Sequence, residues 1–344
     1  MHNQLPSPVA GHNHRRRPTL LAGLLATAFV IAGLGTAAQA DPVKVGDFPN
    51  DTLQLMVPAG PGGGLDTTAR ELQKVLQSEG IGAKPAEVVN VPGGGQTVGL
   101  ARLISQFDTD AHGVLVMGFG LVGGIHVNKT EVGLENVTPI ANLTTEYDAI
   151  AVSNDSKYKS IQDLLADFKK DPRSIVWGGG PGGSPDQLLV GALAKALEVD
   201  PKQINYVAFS GSEPRAQIMG NQVTAGVVGF GELKADGEAG LLRVLAVSGD
   251  KRLDGIDIPT IKETGLDVVV TNWRGIIAGP HISDDARKAW IEMVTRVHDS
   301  DAWKQIMKSH DWTDAFQAGQ PFGDFMKAED ARTADLVQAL GLAN

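Results

Sequence analysis

The feature that most constrains this chain is an apolar strand that runs through a glycine-rich loop into an amphipathic helix. Leu53, Leu55 and Val57 alternate along the strand, and apolar residues between positions 69 and 76 recur at helical spacing. The loop between them, residues 58–64, holds two prolines that end the strand and four glycines that reach backbone angles closed to other residues. Such a loop directs unpaired N–H groups and the positive end of a helix dipole at one point, so we expect an anion there.

The same arrangement recurs in the middle of the chain. Residues 174–177 form an apolar strand pattern, residues 178–186 a second loop of glycines and prolines, and residues 187–197 a helix pattern. One glycine loop alone would fit a tight structural turn as well as a ligand site. Two copies so far apart indicate two domains that each contribute one jaw to a shared anion site.

The remaining sequence alternates strand and helix patterns. Strands at residues 87–91 and 113–117 are each followed by a glycine-rich turn, the second at residues 118–124. This alternation predicts a parallel α/β sheet whose ligands bind at the carboxyl ends of the strands. Two longer strands, residues 147–153 and 268–278, the second interrupted at residues 272–275, are interpreted as crossings between domains. The prediction is therefore domain 1 at residues 41–146 with 273–344, and domain 2 at residues 147–272.

The first 40 residues have the pattern of an export signal. Three arginines at positions 15–17 precede an apolar segment, and Ala38-Gln39-Ala40 offers a cleavage site before Asp41. A membrane anchor would need about 18 or more uninterrupted apolar residues. We expect cleavage and a periplasmic location, with general export preferred over the twin-arginine route, which stays open. The absence of cysteine excludes disulfides and lipid attachment.

Composition and motifs exclude several function classes. Loss of three arginines, with no Asp, Glu or Lys, changes the formal charge from −10 to −13, which argues against nucleic acid or anionic membranes as partners. The loops lack the Gly-Lys-Ser/Thr ending of nucleotide hydrolases, and no Gly-x-Ser-x-Gly elbow is present. The histidines are scattered without metal-ligand spacing. Asp66 and Asp186 could act as acid and base, but helix capping and loop bracing are favoured. We expect no catalytic residues, no cofactor and no metal.

Several ordered motifs resemble a known family, the periplasmic solute-binding receptors of tripartite tricarboxylate transporters, or TctC/Bug family. They lie at residues 57–66, 90–95, 206–211, 242–248 and 258–265. Where the Bug branch usually has Pro-Tyr-Lys-Gly, this chain has Ala208-Phe209-Ser210-Gly211. That departure, with Pro-Gly-Gly-Gly and Arg274-Gly275, makes the chain similar to the citrate-receptor branch.

The resemblance implies a monomeric two-domain α/β clamshell, of the type II periplasmic-binding-protein kind, with a ligand cleft between the domains. It also implies a membrane permease of one large and one small subunit as partner. Arg274 either contacts a distal carboxylate or forms a hinge salt bridge. By motif position, the ligand-binding residues are Gly60, Gly62, Gly63, Gly64 and Asp66 in the first loop; Gly179, Gly180, Gly182, Gly183, Ser184 and Asp186 in the second; and Phe119, Gly120, Phe209, Ser210, Gly211 and Ser212 on the walls.

The ligand expected from these residues is a small carboxylate. Polar groups at Ser210 and Ser212, with Arg274, favour a multiply charged ligand, so a citrate-like tricarboxylate is placed first, C4 dicarboxylates second, and aromatic carboxylates or amino acids third. A sensor that signals to a membrane kinase would use the same site. An enzyme of unknown chemistry is the third class.

Overall fold

A mixed sheet of ten strands organises residues 41–342, the part of the chain that the computed structural model describes. The predicted signal peptide lies outside these residues. The strands are β1 Leu53–Val57, β2 Ala86–Asn90, β3 Gly113–Gly118, β4 Thr138–Ser153, β5 Val176–Gly179, β6 Asn205–Ala208, β7 Ala225–Gly229, β8 Leu242–Val247, β9 Thr271–Ala278 and β10 Thr313–Ala318. The helices are α1 Gly64–Ser78, α2 Thr97–Gln106, α3 Phe119–Asn128, α4 Ile161–Lys170, α5 Pro185–Ala196, α6 Glu213–Met219, α7 Phe230–Glu238, α8 Asp284–Asp299, α9 Asp301–Ser309 and α10 Gln320–Ala339.

The long strand β4 joins two halves of this sheet. Its first part pairs with β9 and β10, and its last part pairs with β7 and β8. One half carries the parallel strands β1, β2 and β3, and the other carries the parallel strands β5, β6 and β7. The strand order is β2-β1-β3-β9-β4-β7-β5-β6. The carboxyl ends of both parallel sets are followed by the glycine-rich segments.

The opening strand and helix form as their periodicity predicts. Leu53, Leu55 and Val57 are fully buried on one face of β1, and α1 buries its apolar stripe at Ala69 and Leu72. These side chains share a core with α8 and α9, in which Trp290 and Trp303 have no exposed surface. Burial of such large side chains contributes roughly 1.5–3 kcal/mol each. The tryptophans therefore anchor the C-terminal helices.

Three sequence-based interpretations are corrected by the structure. The sheet is mixed rather than parallel, because β4 pairs antiparallel with β7, β8, β9 and β10. Residues 119–124 are not a loop but the start of the buried helix α3, which tolerates glycines because neighbouring backbone packs directly against them. A Cβ at Gly123 would overlap the carbonyl oxygen of Gly183. Asn272 to Gly275 continue β9 rather than interrupt it. Helix α7 and strand β10 were not predicted, because neither has a clear apolar period.

The crossing strands lie close to where they were expected. Thr145 pairs with Trp273, and Tyr147 pairs with Thr271. Strand β4 begins nine residues before position 147, at Thr138. The boundaries of the two domains stay a prediction. Within residues 41–342, none of the helices combines the length and the apolar character needed to cross a bilayer.

Candidate ligand-binding site

A cavity of about 130 Å³ lies where six helices begin. Residues at or beside their first turns line it: Gly63, Gly64 and Leu65 of α1, Gln96 before α2, Gly118 and Gly120 of α3, Ser184, Pro185 and Asp186 of α5, Pro214 of α6, and Gly229 and Glu232 of α7. The other lining residues are Ala59, Gly60, Gly180, Pro181, Phe209, Gly211, Val228, Asn272 and Arg274. Both halves of the sheet therefore contribute to one cavity, and the helix dipoles make its potential more positive.

Asp66 braces the first loop from outside the cavity. Its carboxylate accepts hydrogen bonds from the Gly62 N–H at 2.9 Å, Arg70 Nε at 2.8 Å and Asn90 Nδ2 at 2.9 Å. Burial alone would raise the pKa of Asp66, but these three donors outweigh it and hold the pKa below its usual value. The N–H group of Gly64 has no partner inside the helix, because Gly64 is the first residue of α1.

Backbone N–H groups of the second loop donate hydrogen bonds to the side chains that follow the loop. The Gly180 N–H donates to Asp186, and the Gly183 N–H donates to Gln187 Oε1 at 2.8 Å. Ser184 Oγ accepts a hydrogen bond from the Gln187 N–H at 3.3 Å and so caps α5. Asp186 thus repeats the bracing role of Asp66, but it also lines the cavity.

The carboxyl groups at the cavity, here called the acidic wall, belong to Asp186 and Glu232, which line it, and to Asp148, which contacts the lining residue Asn272. Burial, with the negative charge of Glu146 nearby, raises the pKa of Asp186 to about 7 and the pKa of Glu232 to about 8. Burial and the neighbouring carboxylates also raise the pKa of Asp148 well above its usual value. Asp148 is fully buried and accepts a hydrogen bond of 3.4 Å from Asn272. This wall can hold protons at neutral pH.

Arg274 forms a salt bridge beside the cavity, and its contact with a ligand carboxylate stays a prediction. Its guanidinium lines the cavity and forms an ion pair with Glu146. It also donates to Thr68 Oγ1 at 3.2 Å and lies over the Trp312 ring, 5.3 Å from the centroid. The cation is therefore fixed in place, and its charge is already opposed by Glu146.

The structure gathers part of the predicted site around the cavity. Among the predicted residues, those that line it are Gly60, Gly63, Gly64, Gly120, Gly180, Ser184, Asp186, Phe209, Gly211 and Arg274. Those that do not are Gly62, Asp66, Phe119, Gly179, Gly182, Gly183, Ser210 and Ser212. Phe119 is fully buried in the core, and Ser210 donates its N–H to Glu213 at 3.0 Å. Contact of any of these residues with a ligand stays a prediction.

Three polar lining residues were missed from the sequence. Gln96 was missed because only the three glycines before it were considered. Glu232 lies on a helix that was not predicted, and Asn272 was interpreted as part of a strand break. Only Gln96 gave a usable signal, as the polar residue directly after a glycine turn that follows a strand.

Other concave surfaces are larger but lack these features. Hollows of about 450 and 590 Å³ meet at Lys234 and Gly255. Neither is lined by a glycine loop at the carboxyl end of a parallel strand. Among residues 41–342, no group of three His, Asp or Glu side chains is placed to hold a metal ion.

The fold and the position of this cavity define a solute-binding protein of the periplasmic type. The chain belongs to the TctC family, described as the tripartite tricarboxylate transporter family receptor. The model of this family matches residues 69–342. It is 27% identical over 256 residues to the protein BugT of Bordetella pertussis, covering 71% of this chain and 76% of that one.

Solved structures share the fold. MatC from Rhodopseudomonas palustris with bound malate superposes with a TM-score of 0.75 at 21% identity, covering 84% of this chain and all of that one. A second R. palustris protein, solved with adipate, gives a TM-score of 0.79 at 20% identity over 86% of this chain and 99% of that one. The periplasmic-binding-protein fold expected from the sequence is thereby confirmed.

Proposed function

We propose that this protein captures a small carboxylate in the cavity and delivers it to the two-subunit membrane permease of a tripartite tricarboxylate transporter. One observation carries the proposal: six helix N-termini meet at a single small cavity. Helix N-termini bind anions because their first N–H groups are unpaired and their dipoles are positive there. The periplasmic location and the permease follow from the family.

The binding energy that such a site can supply is sufficient for a micromolar complex with a carboxylate. Hydrogen bonds to a charged group contribute roughly 1.5–3 kcal/mol each. Three or four of them, less the entropy of association, reach the roughly −8 kcal/mol of a micromolar complex. Gly64 and Leu65 provide donors at α1, and Gly120 lies in the first turn of α3. The ligand carboxylate therefore needs no cation of its own.

The class of ligand is supported by size, charge and relatives. The cavity, at about 130 Å³, favours a small acid. Relatives of the same fold are known with malate and with adipate. Arg274 on the cavity wall favours a ligand with more than one carboxylate. We place a citrate-like tricarboxylate first and C4 dicarboxylates second.

A thermal-shift panel tests the proposal, because a ligand that binds only the folded state raises the melting temperature. The panel contains citrate, malate, succinate, adipate, benzoate and an uncharged sugar. We expect a shift with at least one aliphatic acid, confirmed by calorimetry. A shift with the sugar alone, or with no acid at any concentration, contradicts the proposal.

Variants at the two loops locate the binding site. Gly63 lines the cavity, and a Cβ there would lie 3.5 Å from Gly211 Cα. Gly63→Val therefore fills part of the cavity and should abolish the ligand-induced rise in melting temperature. A Cβ at Gly182 meets only Gln187 Oε1, at 3.9 Å, so Gly182→Val should fold normally. Loss of binding in Gly182→Val would show that the second loop takes part in ligand binding. Retained binding in this variant would restrict the binding site to the first loop. Retained binding in both variants removes the cavity as the site.

A further inference from the structure

Gln96 occupies a backbone conformation that glycine would adopt more easily. It lies between the Gly93-Gly94-Gly95 turn and α2, with φ of 78° and ψ of −9°. Left-handed angles are unfavourable for residues with a Cβ, and such strain in a folded protein is concentrated at functional positions. The strain by itself assigns no role, but it directs attention to the side chain.

The side-chain amide of Gln96 lies at the cavity, and its oxygen accepts no hydrogen bond. Its Nε2 lies beside Gly120, where any Cβ would collide with it. Its Oε1 is shielded from solvent and has no hydrogen-bond partner among residues 41–342. A buried acceptor without a partner costs free energy unless a bound molecule satisfies it.

Gln96 and the helix N-termini offer complementary chemistry. The N–H groups at Gly64 and Leu65 are donors and suit a carboxylate. Gln96 Oε1 is an acceptor and suits a hydroxyl or an ammonium group, as do Asn272 and the ionised form of Glu232 on the same cavity. A ligand that satisfies both sets carries a hydrogen-bond donor as well as its carboxylates.

We propose that Gln96 determines the specificity of this cavity by accepting a hydrogen bond, at Oε1, from a hydroxyl or ammonium group of the bound acid. The inference rests on the proposed function, because it takes the ligand to be a small carboxylate. It concerns which carboxylates bind well, since a site that hydrogen-bonds a substrate group discriminates against the analogue that lacks it.

Three C4 acids test the proposal by calorimetry. Succinate, malate and aspartate have the same chain and two carboxylates, and they differ at one position by hydrogen, hydroxyl or ammonium. We expect malate or aspartate to bind about tenfold more tightly than succinate, the factor typical of one added hydrogen bond. The tighter of the two identifies the donor. Citrate and tricarballylate, which differ by one hydroxyl, provide the same comparison for a larger acid.

Two variants assign the preference to Gln96. Gln96→Met keeps the side-chain length but removes the acceptor, so the preference should fall to within about twofold while succinate affinity changes little. Gln96→Gly relieves the backbone conformation, so it should keep or raise the melting temperature and also lose the preference. Gln106→Met, at the exposed end of α2, is the matched control and should keep the preference.

Each outcome decides the matter. Equal affinity of the wild-type protein for succinate, malate and aspartate, or a preference that survives Gln96→Met, overturns the role of Gln96 and leaves the proposed function intact. Failure of the wild-type protein to bind adipate or any of these five acids overturns the proposed function as well.

Discussion

Arg274 of β9 and Glu146 of β4 form an ion pair whose side chains are each only 3% exposed. The partner strands hold them together, since Thr144 pairs with Arg274 two positions from Glu146. Trp312 Nε1 donates to the second oxygen of Glu146 at 3.0 Å. The pair thus ties the two long strands to the turn before β10, beside the cavity.

Removal of either partner should destabilise the protein, but not equally. Glu146→Leu leaves the buried Arg274 guanidinium without its partner carboxylate, and we expect a loss of about 3–5 kcal/mol in the free energy of unfolding. Arg274→Leu should cost less, because Glu146 can take up a proton. Burial already raises the pKa of Glu146, although the Arg274 charge opposes this.

Urea denaturation of the two single variants and the double variant measures this asymmetry. The double variant should lose less than the sum of the single variants, because it leaves no unpaired charge. A larger loss for Arg274→Leu than for Glu146→Leu would show that the carboxyl does not neutralise itself.

Gly64→Ala should disturb the same ion pair from the first loop. Alanine normally stabilises a helix relative to glycine, but a Cβ at Gly64 would overlap the guanidinium of Arg274. Because that side chain is fixed by Glu146 and Thr68, it cannot simply move aside. We expect a net loss of about 1–3 kcal/mol, as for other overpacked sites, and weaker ligand binding.

Gly60→Ala is the matched control, since a Cβ there meets nothing within 4 Å. Its unfolding free energy should stay within about 0.5 kcal/mol of the wild-type value. Chemical denaturation and calorimetry of both variants make the comparison. Similar stability of the two variants would contradict the predicted collision.

Asp66→Asn should weaken the first loop in a pH-dependent way. The folded state holds the pKa of Asp66 below its usual value, chiefly through Arg70, Gly62 and Asn90 acting against burial. A carboxyl with a lowered pKa contributes stability above its unfolded pKa of about 3.9 and loses it as the pH falls through the folded pKa. The wild-type advantage over Asp66→Asn should therefore be larger at pH 7 than at pH 3, as measured by urea denaturation. An equal difference at both pH values would assign the effect to geometry alone.

Local pattern predicted the elements that surround the site better than it predicted the site itself. The strand of Leu53 to Val57, its loop and α1 follow from periodicity and glycine chemistry, which act over a few residues. The pairing of Glu146 with Arg274 joins positions 128 residues apart and depends on strand register. Phe119 was assigned to the cavity wall by motif position, but it is fully buried in the core at the start of α3, whose glycines pack closely against neighbouring backbone.

The acidic wall could not be deduced from sequence for the same reason. Asp148, Asp186 and Glu232 lie on three different elements, and their raised pKa values come from burial that only the assembled fold creates. Counting charges predicted a net acidic protein but did not show that some carboxyl groups meet at the cavity. Bracing of the first loop by Asp66, by contrast, was favoured from its position after the glycines.

Anion binding should be linked to proton uptake by the acidic wall. The pKa of Asp186 is about 7 and the pKa of Glu232 is about 8, so both groups titrate near neutral pH. A bound dicarboxylate adds negative charge beside them and raises both pKa values further. At pH 6 the two carboxyls are mostly protonated and accept the ligand readily. At pH 9 they are ionised, so they must repel the ligand or take up protons when it binds.

The affinity for succinate should therefore fall as the pH rises from 6 to 9. Each proton taken up changes the affinity by at most tenfold per pH unit, and we expect about 10- to 100-fold in total. Calorimetry at pH 7.5 in two buffers of different ionisation enthalpy should report proton uptake. Asp186→Asn keeps an oxygen that can accept from the Gly180 N–H but cannot ionise, so it should flatten the pH dependence. An affinity that rises with pH, or proton release on binding, would show that the wall is ionised throughout and that the helix N-termini dominate the field in the cavity.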